Sequence, residues 1–285
     1  MIHFSPRILL IFPAISTWFL LACGLPAGPG DPSPPFRAYF VDVGQGDACL
    51  LRTPGGRYHL YDLGNRDERL LPFLRRMGVD TLESVFISHP DWDHFGSFAA
   101  VFPAIPVKRI HLPPGASTLP AWGEMLTALD VSRVPSDTLY AGDTLLWEGP
   151  VRIRVLWPPK HRTLEGNKMS LVLRVEHATH ALLLTGDAEA EAEAEILTRD
   201  DPAGDILKVG HHGSRTSSTL PFLAAVDPAY AVISCDSAVY GHPHAETLAG
   251  LRLIMGGDEG TLRTDIEGTI AFEIDAYGVR RIDPP

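Results

Sequence analysis

Cysteine is scarce: the chain has three in 285 residues, Cys23, Cys49 and Cys235, too few for the disulfide framework of a small secreted domain. Basic charge is also short. Lys and Arg number 24 against 35 Asp and Glu, a net charge of −11. That balance argues against a broad basic face gripping nucleic acid backbones and permits local binding of anions around metal ions. Internal repeats are missing, and so is a second linker. What is present suits a globular body: 45% hydrophobic and 21% charged residues can build a full core, which excludes a wholly disordered or fibrous chain. The length allows one large domain or two small ones.

At the N-terminus one positive residue, Arg7, precedes an almost uncharged apolar run from Ile8 to Leu21, which leads into Leu20-Leu21-Ala22-Cys23. This has the form of an export signal. The run is short for a bilayer crossing and contains Pro13, so a spanning helix is the weaker reading. The tetrad resembles a bacterial lipobox, with Leu21 where a small residue is usual, and implies acylation of Cys23 and a membrane anchor; an ordinary cleaved signal is the alternative. The expected organisation is a lipoprotein-type signal peptide over residues 1–23, a Pro- and Gly-rich linker over 24–35, and one folded domain over 36–285. The body is expected outside the cytoplasm, lipid-anchored to the membrane or else secreted or periplasmic.

From Phe36 onward, β-rich runs (FRAYFVDV, DACLLRT, RYHLYDL, SVFIS, VKRIHL, VRIRVLW, MSLVLRVE, HALLLTG, DILKV, AYAVIS and GTIAFEID) are separated by turns and helix candidates. The helices are expected at 67–77, 95–101, 120–129, 188–199, 218–226 and 245–255. Interleaved hydrophobic strands and helices predict a layered α/β arrangement, with helix-covered sheets packed face to face. The stretch AEAEAEAEILTR reads as a solvated helix, because Ala and Glu are good helix formers and acids suit a helix N-terminus.

The chemistry-bearing signal is SHPDWDHFGS, Ser88 to Ser97, directly after a strand. His89 and Asp91 are two apart and point the same way from an extended backbone, while Asp93 and His94 at a helix entry can face a second point, so one loop can hold two metal ions. A polar turn that merely caps a helix would need only Asp93. Six of the twelve histidines fall in three short glycine-associated segments. The second of these, DILKVGHHGSRTSS, delivers His211 and His212 at the carboxyl edge of a strand, where α/β folds place their chemistry. The third, YGHPH, carries His242 and His244. Asp187 follows HALLLTG at another strand end, and a carboxylate there can bridge two cations about 3.5–4 Å apart.

The motifs HxDxDH (His89 to His94), TGD (Thr185 to Asp187) and KVGHHGS (Lys208 to Ser214) resemble the metallo-β-lactamase superfamily. Within it, FVDVGQGDA (Phe40 to Ala48), NKMSLVLRV (Asn167 to Val175) and YGHPH (Tyr240 to His244) resemble the ComEC/Rec2-type metallo-β-lactamase domain, in the family's order and over roughly Phe36 to Ile274. The resemblance implies a four-layer αβ/βα metallo-β-lactamase sandwich with a metal site at the edge of its two sheets. It also implies an exported hydrolase with two divalent ions, Mn or Zn, acting on phosphodiesters, single-stranded DNA first among them. By the same resemblance, His89 and Asp91 hold one metal. Asp93, His94 and a histidine of the GHHGS pair hold the other, His211 being preferred to His212, and Asp187 lies between them. Most relatives carry a histidine where this chain has Asp91, a change that moves the site towards manganese. Two departures stand out: Ala238 replaces a residue that is commonly polar, and no multi-helix channel region accompanies the domain, which separates it from moving DNA across a membrane.

Asp93, His242 and Lys208 form the expected catalytic set, and Asn167, Ser170, Ser214 and His244 the expected substrate contacts. Each has a plainer alternative. Lys208 can be a solvated strand end and Ser214 a turn residue; Asn167 can make an Asx turn; His242 and His244, flanking Pro243, can cap a helix or brace other side chains rather than stabilise a transition state or protonate a leaving oxygen. Asp42, Asp47 and Asp62 read as supports behind the ligands. His59, His111, His161, His177 and His180 lack such company and read as ordinary residues, and Cys49 and Cys235 as core thiols. Trp92 and Tyr240 offer faces for stacking bases, or for packing. Two other functions fit the pattern: hydrolysis of another phosphoester, of phosphorylcholine or teichoic acid type, and non-catalytic surface binding, which would need no complete ligand set. No protein partner is inferable.

Overall fold

Each of the eleven predicted runs holds all or most of a strand in a computed structural model that describes residues 34–65, 69–115 and 118–285. The proposed signal, Cys23 and most of the linker lie outside the described residues. The strands are β1 (Phe36–Phe40), β2 (Cys49–Arg52), β3 (Tyr58–Tyr61), β4 (Leu82–Phe86), β5 (Ile110–Leu112), β6 (Ser136–Thr138), β7 (Thr144–Leu146), β8 (Arg152–Trp157), β9 (Val172–His177), β10 (His180–Leu184), β11 (Ile206–Lys208), β12 (Tyr230–Ile233), β13 (Thr261–Arg263), β14 (Ile270–Asp275) and β15 (Gly278–Ile282). Four of them, β6, β7, β13 and β15, were not expected. They are short or partly exposed and carry no apolar alternation that would mark them.

The strands form two mixed sheets. One runs β15-β14-β1-β2-β3-β4-β5-β6, the other β13-β12-β11-β10-β9-β8-β7. Strands β3 to β6 are parallel, as are β10 to β13, and antiparallel pairs complete each sheet. In β10 the continuous run explains itself: Leu182 and Leu184 face the other sheet with Phe40, Phe86 and Phe272, while Leu183 faces the helices with Ile196 and Phe222. A strand buried on both faces has no polar side to alternate with, and each leucine so buried contributes roughly 1.5–3 kcal/mol.

The helices are α1 (Leu70–Arg76), α2 (Trp92–Phe95), α3 (Phe98–Val101), α4 (Pro120–Ser132), α5 (Ala190–Arg199), α6 (Leu220–Val226), α7 (Ser237–Tyr240), α8 (Ala245–Met255) and α9 (Thr264–Glu267). On the first sheet α1 and α4 pack Leu70, Phe73, Trp122 and Met125. On the second, α5, α6 and α8 pack Ile196, Phe222 and Leu251. The result is the expected four-layer αβ/βα sandwich. The helix expected at 95–101 is two short ones interrupted at Gly96 and Ser97, and the first begins inside the motif, at Trp92. Helix α5 is not solvated all round. Ala192 and Ile196 are buried, and so is Glu193, whose carboxylate accepts the backbone N–H groups of Ser218 (2.5 Å) and Thr219 (2.8 Å) just ahead of α6. Among the described residues no helix is long and apolar enough to cross a membrane.

Candidate metal centre

The carboxyl ends of β3, β4, β10, β11 and β12 feed loops that meet at one edge of the sandwich. After β3 the chain turns through Asp62 in a left-handed conformation (φ 60°), which sets its buried carboxylate under the loop that follows β4. There it accepts from the N–H (2.6 Å) and Oγ–H (2.7 Å) of Ser88 and lies 2.8 Å from His94 Nδ1. Two glycines allow the loops to close together. A Cβ on Gly46 would stand 2.4 Å from the carbonyl oxygen of Asp93, and one on Gly186 would stand 2.7 Å from Ser88 Cβ. The Asp47 N–H bonds the Asp93 carbonyl and the Leu63 N–H that of His94 (3.1 and 2.7 Å).

These contacts fix which ring nitrogen of each histidine is free. His94 turns Nδ1 to Asp62, His212 donates Nδ1–H to the Ser234 carbonyl oxygen at 2.8 Å, and His89 sets Nδ1 3.0 Å from Ser88 Oγ. Carboxylates and carbonyls behind an imidazole orient it in this way at metal sites. The Nε2 atoms of all three are buried and have no hydrogen-bond partner, and neither has Asp187 Oδ1. Buried polar atoms are seldom left so. They converge: Asp187 Oδ1 is 3.3 Å from His94 Nε2, Asp187 Oδ2 is 3.4 Å from His212 Nε2 and 3.9 Å from His89 Nε2, and Asp93 Oδ2 is 3.2 Å from His212 Nε2. Donor atoms within 4.8 Å of one another come from His89, His94 and Asp187, from Asp93, His94 and His212, and from Asp47, Asp187 and His212. Imidazole nitrogens mixed with carboxylate oxygens suit a divalent cation, so the residues fit one.

The charges agree. Burial disfavours protonated imidazoles, yet the carboxylates of Asp187, Asp62 and Asp93 outweigh it and hold the proton affinity of His94 well above the ordinary value. The same competition, with Asp187 and Asp47, raises His212 to about 10. Burial pushes the Asp187 carboxyl upward, but His212 and His94 hold it well below the usual range. The pocket is therefore built for positive charge, and a metal would take the place of those protons.

The remaining expected residues divide. His212, not His211, enters the cluster. Both sit in left-handed backbone, His212 at φ 53° and His211 at φ 49°, in a turn just past the strand end, and the His211 ring is the more exposed of the two: its Nε2 is 3.8 Å from Asp187 and its Nδ1 3.4 Å from Glu189, and it joins none of the triads. Asp91 stands at the mouth, half exposed, 3.5 Å from His89 Nε2 and outside the triads. Lys208 is neither solvated nor free for a substrate. It is buried, ion-paired with Asp47, and donates to the Gly186 carbonyl at 3.0 Å. Ser170 is fully buried and accepts the Asp187 N–H at 3.1 Å, which holds the TGD turn. Ser214 is buried against Thr216 (3.1 Å). His244 precedes α8, and its Nδ1 accepts the Arg215 N–H at 3.1 Å. Asn167 Nδ2 lies 3.4 Å from the His211 ring nitrogens, and His242 has its ring 5.8 Å from that of His211. Burial, aided by the neighbouring histidines, lowers His242 to about 4.

Among the supports, Asp62 backs His94 at Nδ1, Asp47 reaches Asp187 and His212, and Asp47, Asp62 and His94 form a further close cluster. Asp42 does not reach the centre: it pairs with Arg69 at 2.8 Å and accepts the Gly44 N–H at 3.1 Å. Sequence reasoning missed Ser88 and the Ser234 carbonyl. The first lay in plain view beside His89, whereas nothing in the sequence marks which carbonyl meets His212.

A helix–sheet–sheet–helix sandwich that gathers imidazoles and carboxylates at its strand ends defines a metal-binding domain of the metallo-β-lactamase kind. The family model for the metallo-beta-lactamase superfamily matches residues 41–237, and the chain belongs to that superfamily. It is similar to ComE operon protein 3 of Bacillus subtilis, at 30% identity over 86% of this chain and 34% of that protein. It is also similar to competence protein ComA of Neisseria gonorrhoeae, at 31% identity over 84% and 32%. These relatives are of the ComEC type, and the chain spans about a third of their length. Among solved structures, the metallo-beta-lactamase fold protein YhfI from Bacillus subtilis aligns with a TM-score of 0.52 at 13% identity, over 80% of this chain and 95% of that one, a likeness of fold alone.

Proposed function

We propose that the domain is a divalent-metal-dependent phosphodiesterase that cleaves single-stranded DNA outside the cytoplasm. The observation that carries this reading is the convergence of three orphaned imidazole nitrogens on the Asp187 carboxylate. His89, His94 and Asp187 would hold one ion and Asp93, His212 and Asp187 a second, either Zn²⁺ or Mn²⁺. When bound, such ions supply Lewis-acid charge and lower the pKa of water towards neutrality. The chain's own residues supply order. Asp62 and the Ser234 carbonyl keep His94 and His212 in the tautomer that offers Nε2. Lys208 balances Asp47, and Ser170 holds the turn that carries Asp187. His242, neutral at pH 7, would donate an N–H to a phosphoryl oxygen.

The net charge of −11 repels a polyanion at long range, so a DNA strand would be held at the centre itself rather than along a basic groove. The N-terminal signal, with Cys23 as a lipid anchor, would hold the domain at the outer face of the membrane. The test is cleavage of labelled single-stranded DNA by the full chain with Mn²⁺ or Zn²⁺, beside Asp93→Ala and a panel of phosphorylcholine and teichoic-acid phosphoesters. Cleavage of DNA lost in the variant supports the reading. Metal-loaded protein that hydrolyses only the small esters moves the substrate to that class, and equal cleavage by the variant overturns the site.

A further inference from the structure

Next to the metal centre lies a second hollow of about 250 Å³, with Asp93 in its wall. Gln45, Arg69, Trp92, Asp236 and Tyr240 also line it. Its volume falls below the ~300–1,000 Å³ of pockets that enclose drug-sized ligands, so it suits a single heterocycle rather than a length of chain. Its charge decides what kind. Asp93 and Asp236 are acids, and the one guanidinium, Arg69, is ion-paired with Asp42 at 2.8 Å, so a phosphate gains nothing there. A neutral, flat group with polar edges does.

The walls match such a group. Trp92 is joined directly to Asp93 and packs edge-on against Phe95, ring centroids 5.4 Å apart. Tyr240, which also lines the hollow, is 66% exposed at the end of α7. That short helix is pinned at its base: Gln45 Oε1 accepts the Asp236 N–H at 3.2 Å, the Asp236 carboxylate accepts the Ala238 N–H at 3.0 Å, and Asp265 accepts the Ser237 N–H at 3.2 Å. The backbone that carries Tyr240 is thus held in place, and the protein's own core leaves the ring uncovered.

We propose that this hollow is a nucleobase subsite, which takes the base of the nucleotide adjoining the phosphodiester at the metal centre and stacks it on Tyr240 and Trp92. The proposal rests on the phosphodiesterase reading above and gives it a preference for base-bearing strands independent of sequence, because every base has a face to stack. The test compares a single-stranded oligonucleotide with one of equal length made of abasic nucleotides, using the full-length protein. Wild-type kcat/KM is expected to favour the base-bearing strand by roughly 5- to 150-fold. In Tyr240→Ala that ratio should fall towards one, mainly through KM, and Tyr240→Phe should restore it. A wild-type ratio near one, or a ratio unmoved in Tyr240→Ala, overturns the subsite while leaving the nuclease reading intact. If neither strand is cleaved, the nuclease reading fails, and fluorescence polarisation of the same two strands decides the subsite alone. Base-dependent binding that is lost in Tyr240→Ala sustains it, and equal binding of both strands ends it.

Discussion

Two groups of buried histidines in this molecule behave in opposite ways. At the metal centre His94 and His212 are buried among carboxylates and hold protons far more tightly than free imidazole. On the flank beside Trp147, His59 and His111 are nearly as buried, His59 stacked on Trp147 at 3.5 Å and His111 on Phe86 at 4.5 Å. Burial lowers these to about 3 and about 4. A buried histidine is therefore no sign of function by itself. What separates the two groups is how many acids meet the ring nitrogens: several buried carboxylates close on the first group, whereas the second has a single half-exposed one, Asp137, 3.9 Å from His111 Nδ1.

The most severe way to break this comparison is to remove the acid at the meeting point. Asp187→Asn is expected to purify without stoichiometric metal and to lose hydrolysis by at least about two orders of magnitude, because the carboxylate joins two of the triads. His59→Gln should keep its metal. Elemental analysis of both proteins checks this, and metal retained in the Asp187 variant would erase the distinction between the groups. A milder change touches no ligand atom: Asp62→Asn leaves the His94 ring in place but removes its charged partner, and is expected to weaken metal affinity about 10- to 100-fold, read by competition with a chromophoric chelator. Metal removal by a chelator should lower the melting temperature as well, since a ligand at 100 times its Kd stabilises by about 2.7 kcal/mol. His59→Gln should show that same metal-dependent shift, and Asp187→Asn should not.

How much of this the sequence disclosed follows from what each feature depends on. Strands such as HALLLTG and VRIRVLW were legible because burial on both faces, or on one, writes itself into the order of apolar residues. The loop from His89 to His94 was legible because its ligands are close along the chain. The choice between His211 and His212 was not, since it turns on two left-handed residues that no side chain announces and that L-residues adopt at a cost of about 1–2 kcal/mol each. Lys208 misled for a related reason. A lysine at a strand end is ordinarily solvated, and only the tertiary approach of Asp47 from a loop far along the chain turns it inward. Glu193 escaped notice in an Ala-Glu alternation whose pattern conceals that one glutamate meets the start of another helix.

The most direct measure of the difference between the two groups is read in the absence of metal. Above about pH 6.5 His59 and His111 are neutral in both the folded and the unfolded chain. As pH falls below that value the unfolded chain takes up a proton at each, while the folded chain refuses it until about pH 3 and pH 4. Their contribution to stability is therefore whole above pH 6.5 and is lost on acidification through that window, by up to ~1.4 kcal/mol per pH unit for each group. His212 runs the other way. Raised to about 10, it favours the folded state fully below pH 6.5 and loses that contribution as pH rises towards 10. Urea unfolding of the chelated protein between pH 6.5 and 4.5 should show the acid-side loss, and His59→Gln should reduce its slope by about one proton. An unchanged slope would mean that the Trp147 flank admits protons as readily as water does, and the contrast between the two sets of histidines would then rest on the metal centre alone.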